Sequence, residues 1–85
     1  MPKPIIIITN KLVHCEDFFK VRRTRIASVH NNGLRLIDIA GQEYRIVREP
    51  HEVLGLKIAD MFETVSAKSN PRYHEILVVA KEALK

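Results

Sequence analysis

The sequence feature that most constrains the fold is the run Ile5–Ile8, which stands between Pro4 and Thr9. β-Branched residues favour strands, and a strand without polar alternation is covered on both faces or packed beneath a helix. The run is far shorter than the roughly 18 apolar residues of a membrane span, and it is too short for the core of a secretory signal. It therefore predicts a buried strand and no membrane segment.

Two turn signals predict that three further strands form an antiparallel meander. Asn32-Gly33 suits a turn with positive φ at both central positions, and Gly41-Gln42 suits a turn that needs glycine first. We expect the strands at about residues 25–31, 34–40 and 43–48.

The register of this meander follows by counting if both turns have two residues. His30 then faces Arg35 and Arg35 faces Arg48, so these three side chains form one row across three strands. One face carries Ile26, Ile37, Ile39, Tyr44 and Ile46, and the other carries Ala27, Val29, Leu34, Leu36 and Val47. Both faces of the meander are therefore apolar, and a single helical layer covers only one of them. The other face must be covered by the N-terminal strand, the C-terminal helix or another copy of the chain.

The spacing of apolar residues becomes helical after Glu49. Pro50 suits a first helical turn, and an apolar stripe follows at Leu54, Ile58, Met61, Phe62 and Val65. Asn70-Pro71 then predicts the start of a second helix, although a strand over residues 75–80 remains the competing interpretation. We therefore predict an α+β fold: a mainly antiparallel sheet, made of the N-terminal strand and the meander, followed by one long amphipathic helix and a shorter C-terminal helix.

The positive charge is concentrated in the middle of the chain. The formal net charge is +4, whereas residues 20–48 alone hold seven cations against two acids, a net charge of +5. The stretch "FFKVRRTRI" places four of these cations in what looks like an apolar strand. Charges on an edge strand block edge-to-edge pairing without any ligand, but one or two suffice for that purpose.

We therefore predict a surface that binds nucleic acid or another anion. The row of His30, Arg35 and Arg48 has two open interpretations, an anion site or a solvated rim, because opposed like charges need an anion or a carboxylate nearby. The predicted binding residues are Lys20, Arg22, Arg23, Arg25, His30, Arg35 and Arg48.

No local spacing predicts catalysis, a cofactor or a metal site. His14 and Cys15 are adjacent, and neighbours in an extended chain point to opposite faces, so the histidine cannot readily activate the thiol. No second cysteine follows at zinc-ligand spacing, and no glycine-rich phosphate loop is present. We expect a protein that is not an enzyme and has no catalytic residues.

Length and cysteine content limit the remaining possibilities. A chain of 85 residues is expected to form a single domain, residues 1–85, and a domain of this size gains so little from burial that self-association is expected. The lone cysteine excludes an internal disulfide and fits a reducing compartment, so we expect a cytoplasmic location.

The order of an isoleucine-rich strand, a second strand from Ile26, a glycine turn, "YRIVREPHEV" and an amphipathic helix resembles the small FlbD-type flagellar accessory proteins over roughly residues 5 to 62. A meander that leads into a helix is also similar to part of the LytTR-type DNA-binding domains. Both resemblances rest on alternation and turn glycines, and we assign the chain to neither family.

The functional expectation is a small non-enzymatic intracellular regulator that binds nucleic acid through an arginine-rich sheet region. The alternative is a homodimeric protein-protein interaction module that docks on an acidic partner protein and does not bind nucleic acid. The sequence does not distinguish DNA from RNA and indicates no sequence specificity.

Overall fold

The computed structural model describes residues 3–84, which form a five-stranded sheet with one helix on each face. The sheet order is β2-β3-β4-β1-β5. Its strands are β1 (Ile5–Ile8), β2 (Ile26–His30), β3 (Arg35–Asp38), β4 (Glu43–Val47) and β5 (Asp60–Glu63), and the helices are α1 (Val13–Arg22) and α2 (Tyr73–Ala83). β1 pairs in parallel with both β4 and β5, whereas β2, β3 and β4 pair antiparallel. The α+β class is confirmed, but the prediction of a mainly antiparallel sheet is wrong because the sheet is mixed.

The isoleucine run forms the buried centre of the molecule, as its lack of polar alternation predicts. Ile6, Ile7 and Ile8 are all 0% exposed. Ile7 packs with Cys15 and Phe19 of α1 on one face. On the other face, Ile6 and Ile8 belong to a cluster with Ile76, Ala80 and Ala83 of α2. Full burial of one such side chain contributes about 1.5–3 kcal/mol, so β1 is a main source of stability.

The stretch from His14 to Arg22, which we expected to be extended chain, is instead part of helix α1, which runs from Val13 through Arg22. Cys15 and Phe19 are four residues apart and meet on the buried face, which is the spacing that a helix requires. The helix ends at Arg23, which has φ 56° and a left-handed conformation. Thr24 N–H donates to the Phe19 carbonyl and Arg23 N–H to the Lys20 carbonyl, the pattern of a Schellman cap. The cations of "FFKVRRTRI" therefore do not lie in a strand.

The predicted long amphipathic helix after Glu49 is also wrong. Only a single 3-10 turn forms, at Pro50–Glu52. Gly55 has φ +80°, a left-handed conformation that no helix interior accepts. The chain then becomes the edge strand β5, which pairs with the free side of β1. Pairing of the buried β1 backbone outweighs the local helical spacing, because unpaired buried N–H and C=O groups are costly.

The meander is confirmed, but its register is only partly as predicted. His30 lies opposite Arg35 as expected, and an irregularity near Ala27 then brings Ile26 opposite Asp38. Across β3 and β4 the register differs by three residues, since Arg35 lies opposite Arg45 and not Arg48. The reason is the side chain of Asp38, whose Oδ1 accepts from the N–H groups of Ala40 and Gln42 at 2.9 Å each. This Asx-type capping creates a longer loop than a two-residue turn.

The C-terminal segment does form a helix, α2, so the strand alternative for residues 75–80 is wrong. The expectation that it is the shorter helix is also wrong, because α2 has 11 residues and α1 has 10. α2 begins at Tyr73, and Asn70 Oδ1 accepts a hydrogen bond from Arg72 N–H at 2.8 Å just before it. Its 11 residues pack against the β1 face described above. Between residues 3 and 84, no helix is both long and apolar enough to cross a membrane.

The strand directions define two ends of the sheet. β1, β2, β4 and β5 all run the same way, so we call the end where they finish the carboxyl edge and the end where they start the amino edge. α1 follows β1 and precedes β2, and it therefore runs back from the carboxyl edge to the amino edge. α2 begins at the carboxyl edge, just after the 3-10 turn Ala67–Ser69.

Candidate nucleic-acid interface

Four predicted binding residues are close in sequence where α1 ends and β2 begins, at the amino edge. We call them the cation cluster: Lys20, Arg22, Arg23 and Arg25. The first two belong to the last turn of α1, the third ends the helix, and the fourth directly precedes β2. All four are exposed. Cations at the end of a helix complement the negative end of its dipole, which explains how this position tolerates such a concentration of positive charge.

None of the four cluster cations forms an ion pair with an acid from residues 3–84. The ion pairs found in that range involve Arg35, Arg45 and Arg72. Positive charge without an internal counter-ion raises the local potential and attracts external anions.

Arg22 is held in place by two aromatic rings. Its guanidinium carbon lies 4.2 Å from the ring centroid of Phe62 and 5.1 Å from that of Phe18. These distances are typical of cation–π contacts, which restrict the side chain and leave guanidinium N–H groups free to donate. We did not predict the contact, because it needs α1 to be a helix, with Phe18 and Arg22 four residues apart, and β5 to be a strand.

Arg35, in contrast, is paired with an internal acid. It shares this acid with a second arginine, and we call Arg35, Glu43 and Arg45 the arginine–glutamate trio. Arg35 Nε donates to Glu43 Oε2 at 3.0 Å, and Arg45 Nε donates to the same oxygen. Burial acts to raise the pKa of the Glu43 carboxyl, but hydrogen bonds and positive charge from both arginines outweigh it and hold that pKa below its ordinary value. The carboxylate that a row of like charges needs is therefore supplied from within the protein.

His30 and Arg48 lie away from the cation cluster, and Arg48 does not join the row of His30 and Arg35. The five residues of β2 place His30 about 16 Å from Arg25 along the strand. His30 Nε2 is 3.1 Å from the Ser28 hydroxyl. Arg48 follows β4 and lines a polar cleft of about 420 Å³ at the carboxyl edge. The seven predicted residues thus fall into separate groups and do not form one surface.

The carboxyl edge carries a buried polar network whose groups satisfy one another. Thr64 Oγ1 donates to Thr9 Oγ1 at 2.7 Å, and Thr9 Oγ1 in turn donates to the Lys11 carbonyl at 2.8 Å. The Asn70 amide donates to the carbonyls of Thr9 and Arg48. Ligands of open α/β sheets often bind at this edge, but here these side chains join β1, β4, β5 and the start of α2 to each other.

The Cys15 thiol and the ring nitrogen Nδ1 of the adjacent His14 are both buried. Burial raises the pKa of the Cys15 thiol to about 11, although a Thr9 hydrogen bond and the Arg48 charge act to lower it. A thiol with this pKa is protonated at neutral pH and is a poor nucleophile. Among the described residues, His14 Nδ1 has no hydrogen-bond partner. Within residues 3–84, no group of three or more His, Cys, Asp or Glu side chains is arranged to hold a metal ion.

A mainly apolar groove lies beside the cation cluster. Its volume is about 330 Å³ and it runs between α1 and the end of β5. Val21 and Val65 on its walls are 83% and 90% exposed, and Arg22 lines it as well. The sequence gives no signal for this groove, because Val21 and Val65 come together only through the fold.

No protein-family model matches this chain, and comparisons with curated proteins and with solved structures found no match. We therefore infer function from the charges, contacts and exposed surfaces of residues 3–84.

Proposed function

We propose that the protein is a small non-enzymatic intracellular regulator that binds nucleic acid through the cation cluster at the amino edge. The observation that carries this proposal is the presence of four exposed cations within six residues, none of which is paired with an acid from residues 3–84. Three of the four are arginines, whose planar N–H groups suit phosphate oxygens.

The arrangement favours backbone recognition over sequence reading. Side chains at the end of a helix can contact phosphates of either DNA or RNA, and phosphate contacts position a protein without specifying a base sequence. The stacked Arg22 adds a cation whose orientation is fixed before binding, which lowers the entropy lost on contact. His30, Arg35 and Arg48 are not part of this proposed interface.

The test is a titration of a short DNA duplex and of a single strand at several salt concentrations. Four phosphate contacts predict a log-log slope of roughly −3 to −4 for the duplex. The combined change Arg22→Ala, Arg23→Ala and Arg25→Ala should flatten that slope by about 2 to 3 units.

A matched control removes three other exposed cations, at the carboxyl edge: Lys11→Ala, Arg48→Ala and Lys68→Ala. This control has the same net charge as the first triple variant, so it should change the slope by less than about one unit if the amino edge is the binding surface. Equal flattening by both variants, or no binding at about 50 mM salt, would contradict the proposal.

The groove next to Arg22 supports a second candidate function, docking on an acidic protein segment. Exposed valines beside Arg22 fit a segment that carries apolar side chains and an acid placed to meet Arg22, away from Asp17 and Glu63, which also line the groove. A synthetic peptide of alternating Leu and Asp is a suitable probe. Val65→Gln leaves every charge in place, so it should weaken binding of this peptide and leave duplex binding unchanged.

A further inference from the structure

The two edge strands of the sheet differ in how they are protected. β5 is four residues long and carries Asp60 and Glu63 at its two ends, and both residues are exposed. β2 is five residues long and contains no Lys, Arg, Asp, Glu or Pro. Edge strands that must stay single usually carry charges, prolines or bulges. β2 has only the irregularity near Ala27, so its outer backbone groups remain open to a partner strand.

An apolar groove adjoins the open edge of β2. It has a volume of about 460 Å³ and lies between α1 and the β2–β3 side of the sheet. Val29 of β2 and Val13 of α1, both on its walls, are 59% and 58% exposed. A strand added beside β2 would cover Val29 and extend the sheet floor of this groove.

From this contrast we propose that the outer edge of β2 is the dimer interface, with the β2 strand of a second copy as its occupant. The register is antiparallel and centred on Ser28, so Ser28 faces Ser28 of the second copy and Ala27 lies opposite Val29. Regular pairing is confined to the middle of β2, because the irregularity near Ala27 interrupts it toward Ile26. Both copies present their α1 helices on the same side, because residues opposite each other in an antiparallel pair point to one face.

Charge favours a second copy at β2 and disfavours it at β5. Antiparallel self-pairing of β5 would place Asp60 opposite Glu63 of the other copy, and opposed like charges are destabilising. Self-pairing of β2 opposes no two residues of like charge. It also places Arg25 of each copy opposite Asn31 of the other, so the two cation clusters stay about 20 Å apart along the strands. The interface is independent of whether the clusters bind nucleic acid.

The experiment compares two exposed valines by sedimentation. Val29→Lys places a charge at the proposed interface, whereas Val78→Lys places it on α2, where the native valine is similarly exposed, 65% against 59%. The wild-type protein and Val78→Lys should form dimers, and Val29→Lys should self-associate at least about tenfold more weakly. A wild-type protein that remains a monomer, or equal weakening by both lysines, would overturn the proposal.

Disulfide trapping keeps the proposal testable if the Val29 variant fails to fold. Directly opposed residues have Cα atoms about 4.5 or 5.5 Å apart, and both separations permit a disulfide. Ser28→Cys should therefore form a covalent dimer on mild oxidation, and Val78→Cys should not. The native Cys15 is buried and does not interfere. A Ser28→Cys protein that crosslinks no faster than the Val78→Cys control contradicts pairing through β2.

Discussion

The cation cluster and the arginine–glutamate trio contain the same type of side chain but differ in how its charge is balanced. In the trio, Glu43 is 18% exposed and lies between two arginines that are 37% and 39% exposed. In the cluster, four exposed cations have no acid from residues 3–84 within ion-pair distance. The trio therefore contributes to the stability of the sheet, whereas the cluster remains available for an external anion.

This difference shows why the number of arginines in a segment is a poor guide to function. Strand register decides which arginine meets an internal acid. Arg35 and Arg45 are opposed across β3 and β4, and Glu43 lies two residues before Arg45 on the same face. At the end of α1, no acid from residues 3–84 comes within ion-pair distance of the cluster cations.

The largest expected difference between the two regions is the loss of stability caused by Glu43→Gln in the trio. This change leaves two opposed arginines without a carboxylate and should lower the free energy of unfolding by about 1 kcal/mol, as measured by urea denaturation. Nucleic-acid affinity should not fall, because the cation cluster is untouched.

The matched control for this experiment is the triple alanine variant of Arg22, Arg23 and Arg25. It should show the reverse pattern, with binding lost and stability changed by less than about 0.5 kcal/mol per residue. A Glu43→Gln variant as stable as the wild-type protein would contradict a stabilising role of the trio. A triple variant that unfolds would contradict the claim that the cation cluster adds little stability.

A smaller change in stability is expected when the pH is lowered. The folded-state pKa of Glu43 is below its ordinary value, so its ionisation contributes stability above the unfolded-state pKa and loses that contribution as pH falls through the folded-state pKa. The glutamine side chain of the Glu43→Gln variant does not titrate. The stability difference between the wild-type protein and Glu43→Gln should therefore be full near pH 7 and shrink below about pH 5. A difference that stays constant to about pH 3 would show that the carboxylate charge is not what stabilises the trio.

The parts of the fold that the sequence predicted correctly are those set by short-range chemistry. Four isoleucines in a row predicted the buried β1, and Asn32-Gly33 predicted the β2–β3 turn with His30 opposite Arg35. The two wrong elements both depend on long-range pairing. Residues 60–63 become β5 because β1 needs a second parallel neighbour, and α1 forms because Cys15 and Phe19 cover Ile7.

The candidate site was predictable in composition but not in arrangement. The charge excess of residues 20–48 points to Lys20 and the arginines that follow it, but their role in binding stays a prediction. Arg48 does not join the predicted row of His30 and Arg35, because the loop capped by Asp38 shifts the β3–β4 register by three residues. Arg22 and Phe62 are in contact although they are 40 positions apart in the sequence. No local sequence pattern predicts such a contact.

Binding at the cation cluster can be observed residue by residue with nuclear magnetic resonance of the labelled protein during titration with a short DNA duplex. Chemical-shift changes should concentrate at the amides of residues 20–26 and at the Arg22 guanidinium, with Arg35 and Arg45 little changed. Perturbations centred on the arginine–glutamate trio, or on the polar cleft around Arg48, would contradict the account.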